Sequence, residues 1–238
     1  NINVVRIINE PTAAILPYII NNKEPSRTQN NIRNNIENIL VIDCGGGTTD
    51  FTVIECDHSE TFFEVKDTTG DNFLGGEDIT DNMYNYIMSK YNFSNKNYQQ
   101  IRKQCEGVKC LLSYQQNATM YINDVSITIS RSLFININNS FFKKIRDCII
   151  NITTFTDIDR IVLVGGTTRI PYFSELCKDI FDNDILIENT IDQDHVVSMG
   201  AALQAYLLTD TEKEEIVTSK CLNRPTNIQN KNYFVHFF

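Results

Sequence analysis

Val41-Ile42-Asp43-Cys44-Gly45-Gly46-Gly47-Thr48-Thr49-Asp50 sets a carboxylate at the end of an apolar run, then three glycines, two hydroxyls and a second carboxylate. Glycines let the backbone take unusual dihedrals and approach a ligand closely, so successive N–H groups can form a nest for an anion. In such a nest Thr48 adds a hydroxyl donor, and Asp43 can hold an accompanying Mg²⁺ through water. A glycine-rich hairpin turn is the plainer alternative, and a triple glycine alone does not decide between them. The surroundings favour a turn between strands: Ile39 to Asp43 is a short apolar run, and Phe51 to Glu55 and Thr61 to Lys66 alternate as antiparallel strands do.

A second glycine turn, Gly165-Gly166-Thr167-Thr168-Arg169-Ile170-Pro171, follows the apolar run Arg160 to Val164. It reads either as a tight strand-to-helix connection or as a bend that admits a nucleoside, with the planar guanidinium of Arg169 stacked on its base. Neither turn matches a Walker A loop or a Rossmann fingerprint.

Tyr98 to Tyr114 reads as an amphipathic helix with Tyr98, Ile101, Cys105, Val108 and Leu112 on its apolar face. Glu106, Lys109 and Ser113 form a polar stripe on another face, ordinarily a solvated surface with an ion pair, and of interest only if a ligand lies across it. A fourth segment, Ile7-Ile8-Asn9-Glu10-Pro11-Thr12-Ala13-Ala14, reads as a strand running into a helix opened by Pro11. Glu10 then either favours the helix dipole or points into a cleft toward a metal-bound water.

The 238 residues are 42% hydrophobic, enough for one or two packed domains. Lys and Arg total 21 against 30 Asp and Glu, a net charge of -9, which argues against nucleic acid as a partner. No apolar run reaches the roughly 18 residues needed to span a bilayer, and the first residues lack a secretory signal, so no membrane role is expected. The seven cysteines, without C-x-x-C pairing, fit reduced, cytoplasmic surroundings better than disulfides or a zinc site. Asn21 to Asn38 is polar and reads as a loop. Asp78 to Tyr91 reads as a helix, Ala118 to Ile122 and Val125 to Ile129 as a hairpin turning at Asn123-Asp124, and Leu133 to Ile152 as one helix. Ile185 to Ile187 reads as a strand, followed by a helix that Asp194 caps and that ends near Leu208.

In this order, NEPTAA (9–14), DCGGGTTD (43–50), GDNFLGGED (70–78), IVLVGGTTRIP (161–171) and GAALQAYL (200–207) resemble landmarks of the ATPase domain of the seventy-kilodalton heat-shock (DnaK-like) chaperones. The resemblance runs from Asn3 to Leu208. It implies an α/β, actin-like (ribonuclease H-like) ATPase fold that binds ATP or ADP with Mg²⁺. Residues 1–37 would be a remnant of lobe I and 38–208 lobe II, with an inserted α+β subdomain at about 75–136; 209–238 is expected to be a poorly ordered tail.

By the same resemblance Asp43 and Glu10 hold the metal's water shell, Asp43 also orienting the attacking water. Gly45, Gly46, Gly47 and Thr48 cradle the phosphates, and Asp50 supports that hairpin. Glu106, Lys109 and Ser113 match the ribose and adenine contacts, and Gly165, Gly166, Arg169 and Asp194 the facing wall. Cys110 stands where the family usually has an arginine packed on adenine, and Gln193 and His195 replace a proline and a glutamate. Pro17 falls inside the helix after Glu10, at a cost of about 3 kcal/mol unless that helix kinks or ends.

The chain enters at Asn1, downstream of the family's first phosphate loop and its lysine, so it is expected to be truncated, to bind nucleotide weakly and to turn it over poorly. The intact chaperone would act on unfolded client polypeptides with a J-domain protein and a nucleotide-exchange factor. The rival readings are a non-catalytic nucleotide- or co-chaperone-binding module and a small-molecule kinase of the same superfamily.

Overall fold

The computed structural model describes residues 4–21, 36–58, 62–91, 93, 98–181, 183–209 and 234–236. In chain order the first elements are α1 (Glu10–Asn21), β1 (Ile36–Cys44), β2 (Thr49–Asp57), β3 (Phe62–Asp71), α2 (Gly76–Tyr91), α3 (Tyr98–Leu112), β4 (Asn117–Ile122) and β5 (Val125–Ser130). They are followed by α4 (Arg131–Ile137), α5 (Asn139–Ile152), β6 (Arg160–Val164), a 3₁₀ turn (Gly166–Arg169), α6 (Tyr172–Phe181), β7 (Leu186–Glu188), α7 (Val196–Thr209) and β8 (Phe234–His236).

A mixed sheet in the order β7-β6-β1-β2-β3-β8 carries the fold, with β1 parallel to β6 and antiparallel to β2. β1 and β6 are near-continuous apolar runs because both faces of the sheet are covered. Ile39 and Val41 pack with α1 residues Ala14, Ile15 and Leu16 and with Val196 of α7. On the other face Leu40 and Ile42 pack with Ile145 and Ile149 of α5 and Phe173 of α6. The core on that side continues through α2, α3, α4 and the β4–β5 hairpin by way of Met83, Ile101, Met120 and Phe134. The hairpin turns at Asn123, whose positive φ of 52° asparagine tolerates better than most residues.

Several expectations are corrected. Residues 4–9 form no strand; Val4 and Ile7 are exposed, and the run pairs with no described strand. Glu10 therefore stands at the first turn of a helix and not at a strand end. β1 begins at Ile36, inside the stretch read as a loop, while residues 22–35 lie outside the described ones. Leu133 to Ile152 is not one helix but α4 and α5, parted at Asn138. That side chain is fully buried, donating to the Phe134 carbonyl and accepting from Asn82, and such local bonding competes with a continuous helix. Most of the tail lies outside the described residues, but Phe234–His236 adds an edge strand to β3. Every described cysteine is free, and burial pushes the thiols of Cys44, Cys105 and Cys177 up to about 12.

α1 continues through Pro17 to Asn21. Pro17 has no N–H for the Ala13 carbonyl four residues back. On that same carbonyl sits Gly200 of α7: a Cβ at Gly200 would fall 1.7 Å from the Ala13 oxygen. Gly200→Ala is therefore expected to destabilise the chain by about 3 kcal/mol, the upper end for overpacking. Helix propensity alone would favour alanine by about 1 kcal/mol, so a net loss reports the contact. Urea unfolding should show a lowered midpoint at unchanged slope; an unchanged or raised midpoint would mean that α1 and α7 do not pack this closely.

Candidate functional site

The carboxyl end of β1 delivers Asp43 into the turn 45–48, which closes by a bond from the Gly45 N–H to the Thr48 carbonyl (3.0 Å). The N-terminus of α2 docks on this turn: Gly76 N–H donates to Gly45 O (3.0 Å) and Glu77 N–H to Gly46 O (2.7 Å). A Cβ at Gly75 would meet the Gly46 oxygen at 2.4 Å, so glycine is required for that approach.

The second turn lies against the first. β6 runs beside β1, Asp43 opposite Val164, and Gly165 then turns with φ of 81° in the region glycine favours. The Thr167 hydroxyl, which the sequence reading assigned no role, donates to Gly45 O (2.8 Å) and ties the two turns together.

α3 supplies the next wall. Lys109 is only 8% exposed and is therefore not part of a solvated stripe. Its Nζ donates to Gly76 O (2.8 Å) and Thr80 Oγ1 (3.1 Å) and pairs with Glu106 (2.7 Å). Burial pushes the Glu106 carboxyl up, but hydrogen bonds from Lys109 and Thr80 outweigh it and hold the group below its ordinary range. Thr80 and Gly76 were also missed; they became legible only once α2 and α3 were known to pack.

Arg169 closes the opposite side. Its guanidinium pairs with Asp192 (2.8 Å) and Asp194 (2.7 Å). Asp194 thus acts as a partner of Arg169 and not as the cap of α7, a correction; the turn before α7 is held by Asp192, whose carbonyl accepts from Val196 N–H. His195 is largely exposed beside Asp192, and the Gln193 carbonyl accepts from Gly165 N–H (3.2 Å).

These parts enclose one cavity of about 600 Å³. Glu10, Asp43, Gly45, Gly46, Thr48, Asp50, Glu106, Lys109, Ser113, Gly165, Gly166, Arg169 and Asp194 all line it, with Cys110, Glu77 and Thr167. Gly47, at the exposed tip of the turn, does not. Asp43 stands near two further carboxylates, and its carboxyl is pushed up to about 6, chiefly by burial and then by Glu10 and Asp50. A larger hollow of about 1110 Å³ opens at the other end of β1, near Ile36 and Phe155, and holds none of these groups.

A family model described as Hsp70 protein matches residues 1–221. The chain belongs to the Hsp70 family. A Heat shock 70 kDa protein of Penicillium citrinum is 32% identical to it over 227 residues, covering 87% of this chain and 42% of that relative. The chain thus spans less than half the length of this Hsp70 relative, and the α/β sheet with its glycine turns is an actin-like ATPase fold as in that family. Among the described residues no helix is long and apolar enough to cross a membrane.

Proposed function

We propose that this chain is the nucleotide-handling segment of an Hsp70-type chaperone, taking ATP or ADP with Mg²⁺ into the cavity between the two glycine turns and α3. The observation that carries the reading is that single cavity, which collects the glycine turn 45–48, a buried lysine and the carboxylates of Glu10, Asp43, Asp50, Glu77, Glu106 and Asp194 in one place. Gly45, Gly46 and Thr48 would receive the phosphates, with Gly47 shaping the turn; Asp50 would brace that hairpin. Glu106, Lys109 and Ser113 would hold the ribose and base edge on one side, and Gly165, Gly166, Arg169 and Asp194 on the other.

A divalent cation suits the acidic end, where burial and like charge already disfavour ionisation of Asp43. No cluster of three or more His, Cys, Asp or Glu among the described residues is set to hold a metal directly, so Asp43 and Glu10 would hold Mg²⁺ through its water shell. When bound, that ion neutralises phosphate charge. Asp43 would also orient the attacking water and Thr48 a phosphate oxygen. In a full-length protein we extend the reading to ATP hydrolysis that controls binding of unfolded clients, with J-domain and nucleotide-exchange partners, in the cytoplasm. The same reading divides the chain into 1–37 of lobe I, lobe II at 38–208 and a tail.

Calorimetric titration of the 238-residue chain with ADP, with and without Mg²⁺, tests this. The expected result is binding whose heat and affinity depend on Mg²⁺. Absence of binding would sink the reading. Binding indifferent to Mg²⁺ would favour the second reading, a non-catalytic module, to which the short, exposed Cys110 in the cavity wall points.

A further inference from the structure

We propose that Gly70 is a positioning residue for the acidic end of this cavity: the missing side chain there gives the Asp50 carboxylate a seat over β3, held back from Asp43. The inference rests on the nucleotide reading above and extends it to a residue outside the cavity wall. Asp43, Asp50 and Gly70 form one row across three strands, because β1 sets Asp43 opposite Asp50 and β2 sets Asp50 opposite Gly70. Directly opposed residues of an antiparallel pair share a face, with Cβ atoms about 5 Å apart, and like charges so placed are destabilising. The next row on that face is Val41, Thr52 and Thr68. With Asp43 and Asp50 it borders a smaller hollow of about 420 Å³, which shares Glu10, Asp43 and Asp50 with the nucleotide cavity.

Gly70 lies within β3, where glycine weakens a strand, and its φ is not positive, so backbone conformation does not account for it. What the position does accommodate is Asp50. A Cβ at Gly70 would overlap Asp50 Oδ1 and come within 3.3 Å of Asp50 Cγ and 3.1 Å of the Thr49 carbonyl oxygen. One oxygen of the Asp50 carboxylate therefore points away from β1, over the bare backbone of β3. That carboxylate makes no hydrogen bond or ion pair among the described residues, so the seat over Gly70 is what fixes its direction. Alanine at position 70 would close the seat and turn the carboxylate back toward Asp43, crowding the end of the cavity where a hydrated divalent cation would be held.

The test is calorimetry of ADP, with and without Mg²⁺, on the wild-type chain, Gly70→Ala, Asp50→Ala and the double variant, together with the urea midpoints of the ligand-free chains. Losing a group that orients a metal's partners typically costs about 10- to 100-fold in metal affinity. Expected are an ADP affinity about tenfold weaker for Gly70→Ala when Mg²⁺ is present, an affinity within about twofold of wild type when it is absent, and a double variant no weaker than Asp50→Ala. The urea midpoint that Gly70→Ala lowers should return to that of Asp50→Ala in the double variant, where the overlapping group is gone; this comparison decides the matter even if the single variant does not fold. The inference is overturned if Gly70→Ala binds MgADP as wild type does, if it loses Mg²⁺-free ADP in equal measure, if the two single losses add in the double variant, or if the double variant's midpoint stays low. If the wild-type chain shows no Mg²⁺-dependent ADP binding, the nucleotide reading falls and this one with it.

Discussion

Replacing Asp43 with asparagine is expected to do two opposite things: abolish the Mg²⁺-dependent part of ADP binding and raise the melting temperature of the ligand-free chain at neutral pH. The substitution keeps shape and removes charge from the acidic end shared with Glu10 and Asp50. Because the folded-state carboxyl is raised from 3.8 to about 6, the folded chain binds that proton more tightly than the unfolded chain. Its contribution to stability is therefore fully present at low pH and is lost as pH rises through about 6. Asparagine does not ionise, so the gain in melting temperature should be present at pH 7.5 and vanish toward pH 4. Loss of one preorganised group at a phosphoryl-transfer centre typically costs about 10²- to 10³-fold in rate, which is the deficit expected for hydrolysis in a full-length protein carrying the change. A ligand-free melting temperature that falls at pH 7.5 would show that Asp43 ionises comfortably and that the acidic end has no call for a cation.

The second large effect lies at the other end of β1. Arg160, 2% exposed, donates from Nε to Glu37 (2.8 Å) and from Nη1 to Glu188 (2.9 Å), so three adjacent strands, β1, β6 and β7, share one buried cation. His58 approaches Glu37 from the end of β2 at 2.8 Å. Arg160→Met would leave both glutamates without that cation, and breaking a buried pair in this way costs about 3–5 kcal/mol. Chemical denaturation should register that loss. Adding Glu37→Gln and Glu188→Gln to Arg160→Met should recover much of it, because positions 37 and 188 then hold no buried carboxylate charge. A single variant as stable as wild type would mean that water reaches the cluster and that the strands are not aligned by it.

What could be read from residue order were the features that act locally. Glycine marks the places where the backbone demands it: Gly75, where α2 approaches Gly46 O, and Gly165 with its positive φ. The polar face of α3 follows from helical spacing, and the Asn123-Asp124 turn from the strands that flank it. Features made by distant segments stayed hidden. Lys109 reads as a surface residue until Gly76 and Thr80 are placed over it, and Thr167 has no visible task until β6 lies beside β1. Glu37 sat in a polar stretch that reads as a loop, so its partnership with a residue 123 positions away left no local signal. The segment opening at Ile7 and Ile8 shows the converse error: apolar residues without a neighbouring ladder make no strand, and the described residues provide none beside it.

Amide hydrogen exchange with and without MgADP tests the convergence of these segments most directly. Backbone protection should appear at 43–48, at 165–169 and along the C-terminal half of α3, and should rise at all three with the same dependence on ADP concentration. Protection confined to one segment, or absent from all while ADP is demonstrably bound, would contradict a single nucleotide cavity built from both glycine turns and the α3 side chains.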